Sequence, residues 1–301
     1  MNLTVAALGL CAALAVAVPA FADWRDDLGA LRIGVVMQNG RNYDPRRFEE
    51  FREIVSETLS LPVEIFQAHD AAALIDAMAT SRIEYSIMSA LGYATADRMC
   101  ECIEPVAAPV SREGATAVRS VLVVDDARVR RIADLAAVPI AAGPANSLGG
   151  DLLPSAEFEW QGGPLADSGL DLVQAASTRE SLRLLADGEV AAAFLWEFVR
   201  PGSAMAYEDG PRAALDGMSP GGFTVLWHSE PVRFGPHAVR RNLPAAAKAA
   251  LRRMLVDLDE AAPLAYDSVS PALGGGFEAA GADEYHSALA LVSALGTKED
   301  R

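Results

Sequence analysis

Leu31-Arg32-Ile33-Gly34-Val35-Val36 is a short β-rich apolar run, and Phe48, Phe51, Ile54, Val55 and Leu59 follow it at helical spacing. A strand leading into an amphipathic helix opens a βαβ unit. Pro62-Val63-Glu64-Ile65-Phe66 supplies the next strand, and Asp70 stands as the N-cap of a helix with an apolar stripe of Leu74, Ile75 and Met78. Ile83 to Met88 reads as a third strand. This alternation predicts a mainly parallel sheet covered by helices on both faces, with a ligand crevice at the carboxyl ends of the strands.

After a polar stretch from Ser111 to Thr116 the pattern restarts. Strands are expected at Ser120 to Val124, Val138 to Ala142, Leu172 to Ala175, Val190 to Leu195 and Thr224 to Trp227. Helices fall between them: a short one around Ile132 to Ala136, one entered at Ser147, and one from Ser177 to Asp187 with a Ser177/Glu180 capping box. Pro244 opens a helix carrying Leu251, Met254, Leu255 and Leu258 on one face, and a last helix ends near Leu295, before Gly296. Two α/β units with C-terminal helices left over imply a chain that leaves one lobe, builds a second and returns. The crossings are expected near residues 106–118 and 225–236, giving lobe one from 23–110 plus 232–301 and lobe two from 111–231. Such a hinge permits closure around a ligand.

Residues 1–22 carry no charged side chain, an apolar run from Val5 to Val18, then Pro19 and Ala20-Phe21-Ala22. They read as a secretory signal peptide cleaved before Asp23, which places the protein in the periplasm. The net charge of −16 repels phosphate backbones and anionic lipid surfaces, so nucleic acid and membrane surfaces are poor partners. Beyond residue 22 the cysteines are Cys100 and Cys102, which read as two thiols or a local disulfide; with four scattered histidines, no metal site and no cofactor are expected. Nucleophile-elbow, zincin, phosphate-loop and dinucleotide-loop motifs are missing, which argues against an enzyme.

The stretch Asp134-Leu135-Ala136-Ala137-Val138-Pro139-Ile140-Ala141-Ala142-Gly143-Pro144-Ala145-Asn146-Ser147-Leu148-Gly149-Gly150-Asp151-Leu152-Leu153-Pro154 resembles the second-lobe signature of phosphonate/phosphite-type binding proteins of ABC transporters. Ser89-Ala90-Leu91-Gly92-Tyr93-Ala94, Ser177 to Glu180 (with Thr178), Gly188-Glu189-Val190 and Val225 to Pro231 through Gly235-Pro236 follow in that family's order. The resemblance implies the two-lobed type II periplasmic-binding-protein fold and a monomer that captures a small polar anion such as a phosphonate, phosphite or phosphate and hands it to a membrane permease. The family's Ser-Thr-Ser-like run is here Ser147-Leu148-Gly149. That departure leaves carboxylates, sulfonates and other phosphorus oxyanions open as ligands, and a periplasmic sensor would use the same fold.

Ser147-Leu148-Gly149-Gly150 enters a helix, where unpaired backbone N–H groups and the positive dipole end favour an anion. Asn146 belongs to the same loop. Ser147 either meets the ligand or caps the helix. Trp196 and Glu197 end a strand at the crevice and resemble the Trp-Glu pair of taurine/thiamine-precursor binders; an aromatic wall with one carboxylate suits an amine or hydroxyl, and the alternative is core packing for Trp196 and solvation for Glu197. From lobe one, Tyr43 follows the first strand, and Ser89 and Tyr93 follow the third; Tyr93 suits a core position equally.

Overall fold

The computed structural model describes residues 23–36, 45–125, 127–200, 222–270 and 272–299, together with Gly202, Gly210, Pro211, Ala214 and Leu215. Residues 1–22 and Tyr43 lie outside the described residues, so the expectations for the signal peptide and for that side chain are not addressed by the structure.

In the first half of the chain, α1 (Trp24–Leu28) and β1 (Leu31–Val36) precede α2 (Glu49–Leu59), β2 (Val63–Ala68), α3 (Ala71–Ala79), β3 (Tyr85–Ile87), α4 (Ala90–Cys100), β4 (Ile103–Ser111) and β5 (Ala117–Asp125). Next come β6 (Ile140–Ala142), α5 (Leu153–Glu157), the small hairpin β7 (Glu159–Trp160) and β8 (Gly163–Pro164), β9 (Leu172–Gln174), α6 (Thr178–Ala186) and β10 (Ala192–Val199). The remainder is β11 (Phe223–His228), β12 (Val232–Arg233), β13 (His237–Arg240), α7 (Ala245–Val256), α8 (Leu258–Ala261), α9 (Pro263–Val269), β14 (Gly274–Ala279) and α10 (His286–Glu299). Strands order as β14-β4-β13-β3-β1-β2 in one sheet and β11-β5-β10-β6-β9 in the other, where β12 also pairs with β5. Apolar clusters line both faces of each sheet.

The architecture is the expected α/β pair of helix-flanked sheets. Each sheet is mixed rather than mainly parallel. β1 runs parallel to β2 and β3, and β6 runs parallel to β9 and β10, because helices connect those strands. The long strands β4 and β5 run antiparallel to β13 and β14 and to β10 and β11 respectively, which the periodicity of βαβ units does not announce. Asp70 caps α3 as expected, accepting from the Ala73 N–H at 2.8 Å, and Ser177 caps α6. Two helix ends differ from expectation: α7 stops at Val256, so Leu258 begins a separate turn, and α10 continues through Gly296 to Glu299. Cys100 and Cys102 form a local disulfide.

His237, on β13, is 1% exposed and sits in an aromatic shell, with ring centroids 4.6 Å from Phe277 and 6.2 Å from Phe51, while its Nδ1 shares a hydrogen bond with the Tyr85 hydroxyl. Burial pushes its pKa down from 6.5 to about 3. The unfolded chain therefore binds a proton here below its ordinary pKa while the folded chain stays neutral, so folding stability falls as pH drops from 6.5 toward 3. His237→Gln is expected to be less stable at pH 7 by about 1–3 kcal/mol and to lose less on acidification. Urea unfolding of both proteins between pH 7 and 4 checks this, and equal pH slopes would contradict it.

Candidate functional site

The carboxyl end of β6 opens into the turn that the sequence singled out. The Gly143 N–H donates to the Gly150 carbonyl at 2.8 Å, and the Gln174 side-chain amide donates to the Gly143 carbonyl. Asn146 takes a left-handed conformation, φ 64°, and its N–H donates to Asp151 Oδ2 at 2.7 Å. The N–H groups of both Asp151 and Leu152 then donate to the Ser147 carbonyl, at 3.1 and 3.0 Å, so residues Leu148–Leu152 form a widened π-turn that runs into α5.

This geometry removes the capping reading of Ser147. Its hydroxyl caps nothing; it is buried and has no hydrogen-bond partner among the described residues. The N–H groups of Leu148, Gly149 and Gly150 likewise donate to no described group, as the first turn of a helix requires. The carbonyls are occupied: Ser120 on β5 donates its hydroxyl to the Gly149 carbonyl at 2.6 Å. Leu148, Leu153 and Ala156 pack into the apolar cluster of the first sheet beside α4 and α10, so the turn sits between the two sheets.

Trp196 presses directly on the turn. A Cβ at Gly149 would stand 2.5 Å from the Trp196 Cβ, which makes glycine obligatory there. The same strand face continues with Phe198, whose ring centroid lies 5.2 Å from that of Trp196 and 5.0 Å from that of Phe234. Beyond Phe234, Gly235 lies against Ser89: an added Cβ would meet the Met88 carbonyl at 2.1 Å and the Ser89 Cα at 2.7 Å. Ser89 is the exposed N-cap of α4, accepting from the Gly92 N–H at 3.0 Å.

Residues 33–285 match the family described as ABC transporter, phosphonate, periplasmic substrate-binding protein. The chain belongs to that family. Among solved structures it is similar to XAC2383 from Xanthomonas citri bound to chloride ion, at 14% identity, over 90% of this chain and 99% of that one, with a TM-score of 0.58. It is also similar to PhnD1 from Prochlorococcus marinus in complex with methylphosphonate, at 15% identity, over 90% and 98% of the two chains, TM-score 0.51. A third similar fold is Mh-p37 of Mycoplasma hyorhinis, at 10% identity, over 88% and 97%, TM-score 0.56. No curated relative matches the sequence. At these identities the solved structures show the type II binding-protein fold; the family makes the chain a periplasmic substrate-binding component of an ABC transporter.

In this family member the expected residues divide into two groups. Ser147, Gly149 and Trp196 meet at the turn, while Ser89 stands apart from them against Gly235, with Phe198 and Phe234 between. Tyr93 lines neither place: the ring is fully buried against Tyr285, centroids 4.8 Å apart, and burial raises its pKa. Leu148 offers its N–H while its side chain joins the core, and Asn146 serves the turn through its backbone. Thr178 lies in the first turn of α6, and Gln174, not Thr178, makes the contact with the Gly143 loop. Glu197 is not a free carboxylate; Arg119, directly opposite on β5, holds it at 2.6–2.7 Å.

Sequence reasoning missed Phe198, Phe234, Ser120, Gln174 and Arg119, because each acts through partners tens of residues away. The period-two alternation along Ala192–Val199 was the one local signal, since it puts Phe198 on the face of Trp196. Two clefts of about 470 and 450 Å³ also open where the sheets meet, lined by Arg200, Arg233, Glu278 and Glu284 in one and by Ala156, Glu157 and Leu291 in the other. A third, of about 290 Å³, borders Trp24 and Arg240. None of the three contains a residue of the candidate set.

Because the Ser147 hydroxyl is buried without a partner among the described residues, Ser147→Ala removes an unsatisfied group. The variant is expected to melt at or above the wild-type temperature, checked by circular dichroism without added anions; a fall of several degrees would mean that the hydroxyl is structural.

Proposed function

We propose that the chain captures a small oxyanion, of the phosphonate, phosphite or phosphate kind, between two lobes, residues 23–110 plus 232–301 and 111–231 except that β12 (Val232–Arg233) pairs with β5 of the second, and delivers it to a membrane permease. The turn at 147–150 carries this reading. Three backbone N–H groups without described acceptors and a buried, unpartnered hydroxyl lie there at the positive end of a helix, and a second helix N-terminus, capped by Ser89, stands at the far end of the row that starts at Trp196. Such donors recognise an anion through charge-assisted hydrogen bonds and need no compensating cation.

Closure about the strands that cross near residues 111–117 and 233–236 brings the two helix ends onto one ligand. Capture is stoichiometric and involves no chemistry. Family membership makes the protein a periplasmic one, and export is assigned to residues 1–22 as a cleaved signal peptide. We take the functional unit to be a monomer. Arg119 already engages Glu197, which argues against an amine as the recognised group.

A thermal-shift screen of the purified protein against phosphonates, phosphite, phosphate, sulfonates, carboxylates and amines tests the reading. A ligand that binds only the folded state raises Tm by mass action, about 2.7 kcal/mol of stabilisation at a hundredfold excess over Kd. Phosphorus oxyanions are expected to raise Tm, and Ser147→Ala to weaken their binding by about tenfold or more, the share of one hydrogen bond to a charged group. A hit confined to amines, or none at all on folded protein, would overturn it.

A further inference from the structure

The anion reading leaves unused the row of aromatic rings that begins at the turn. Trp196 and Phe198 leave the same face of β10 and stand 5.2 Å apart, and Phe234 meets Phe198 edge-on at 5.0 Å. Gly149 closes one end of the row and Gly235, against Ser89, the other. The three rings therefore lie between the turn at 147–150, which would hold an anion, and the N-terminus of α4. Phe194, on the same face but deeper in the sheet, is 1% exposed and belongs to the core; Phe234 is 9% exposed, whereas Phe198 and Trp196, on whose ring Gly210 packs, are half-buried.

Next to this row there is no free charge from β10. Glu197 leaves the opposite face of the strand, and its carboxylate is neutralised by Arg119. Among the described residues of β10 an ammonium group on a ligand would find no unpaired carboxylate, and a bare inorganic anion would leave in water those parts of Trp196 and Phe198 that Gly210 and Phe234 do not cover. A flat apolar substituent would cover them, stacking on the ring faces or meeting them edge-on.

Resting on the anion reading above, we propose that Trp196, Phe198 and Phe234 form the specificity wall of the site, and that its ligand is an oxyanion bearing an aryl group rather than a methyl or aminoalkyl one. The oxyanion docks on the 147–150 backbone and the ring lies along the row.

Isothermal titration of the full chain with phenylphosphonate, methylphosphonate, 2-aminoethylphosphonate and inorganic phosphate tests this. Phenylphosphonate is expected to bind at least tenfold tighter than the other three. Trp196→Leu and Phe198→Leu should bring the phenyl-to-methyl affinity ratio toward one, whereas Trp196→Phe, which keeps an aromatic ring and is the safer variant to fold, should preserve most of it. Binding of the small phosphonates as tightly as phenylphosphonate overturns the wall and leaves the anion site standing. So does an equal loss for all four ligands in the leucine variants. Silence toward all four ligands on folded protein overturns both.

Discussion

A single buried guanidinium holds the two sheets in their relation. Arg233, on β12, has a side chain 4% exposed, and it donates to the Thr116 carbonyl at 2.7 Å, to Glu278 at 2.6 Å and to Glu284 at 3.0 Å. Thr116 precedes β5 of the second sheet, whereas Glu278 lies on β14 of the first and Glu284 just before α10. A cation taken out of water needs its full complement of acceptors, and removing one partner of such a pair costs about 3–5 kcal/mol. Arg200, at the end of β10, donates to the other oxygen of Glu278 at 3.3 Å and to the Gly114 carbonyl at 2.7 Å. One carboxylate thus gathers two arginines from the far sheet at the place where the chain passes between the sheets, while Tyr285 donates to the Phe234 carbonyl at 2.8 Å beside them.

With the passage fixed there, the position of the aromatic row follows. Phe234 and Gly235 come immediately after Arg233, so the network that anchors the guanidinium also sets how Phe234 reaches Phe198 and how closely Gly235 approaches Ser89. At the opposite end, Ser120 occupies the Gly149 carbonyl and, at 3.3 Å, reaches the Leu195 carbonyl. The strand pair β5–β10 thereby holds the turn by its acceptors and leaves its donors free.

The sequence made the elements legible where one period dominates, as in β1, α2, β2 and α3. It was silent where the chain breaks its own rules. β4 carries Pro105 and Pro109 inside a strand that is paired on both edges, and it does so beside register shifts at His237/Ala238 and Gly274/Phe277. β14 opens with three glycines and has no apolar pattern to read. At the site, glycine at position 149 makes room for a side chain of the protein itself. The occupant of Gly149's missing side chain, Trp196, lies 47 residues on, and the partner of Glu197 lies 78 residues back. The first is a contact between a turn and a strand, and the second is set by the antiparallel register of β5 and β10, and helical and strand periodicity leave both undetermined.

Charge then constrains the ligand. The protein carries −16 overall, and Asp151 stands within the first turn of the helix whose N–H groups are on offer, its carboxylate accepting from Asn146 and, at 3.3 Å, from Ser155. That carboxylate consumes part of the positive potential at the helix end, and the distant negative charges oppose an incoming anion as far as salt leaves them unscreened. Small inorganic anions, which are abundant and owe all their affinity to charge, gain least from such a turn. A ligand that adds apolar contact area to its charge gains the difference. On the reading proposed above, the acidic surroundings and the aromatic row both favour the same ligands: electrostatics lowers the affinity for every anion, and the rings restore it for those that carry the right substituent.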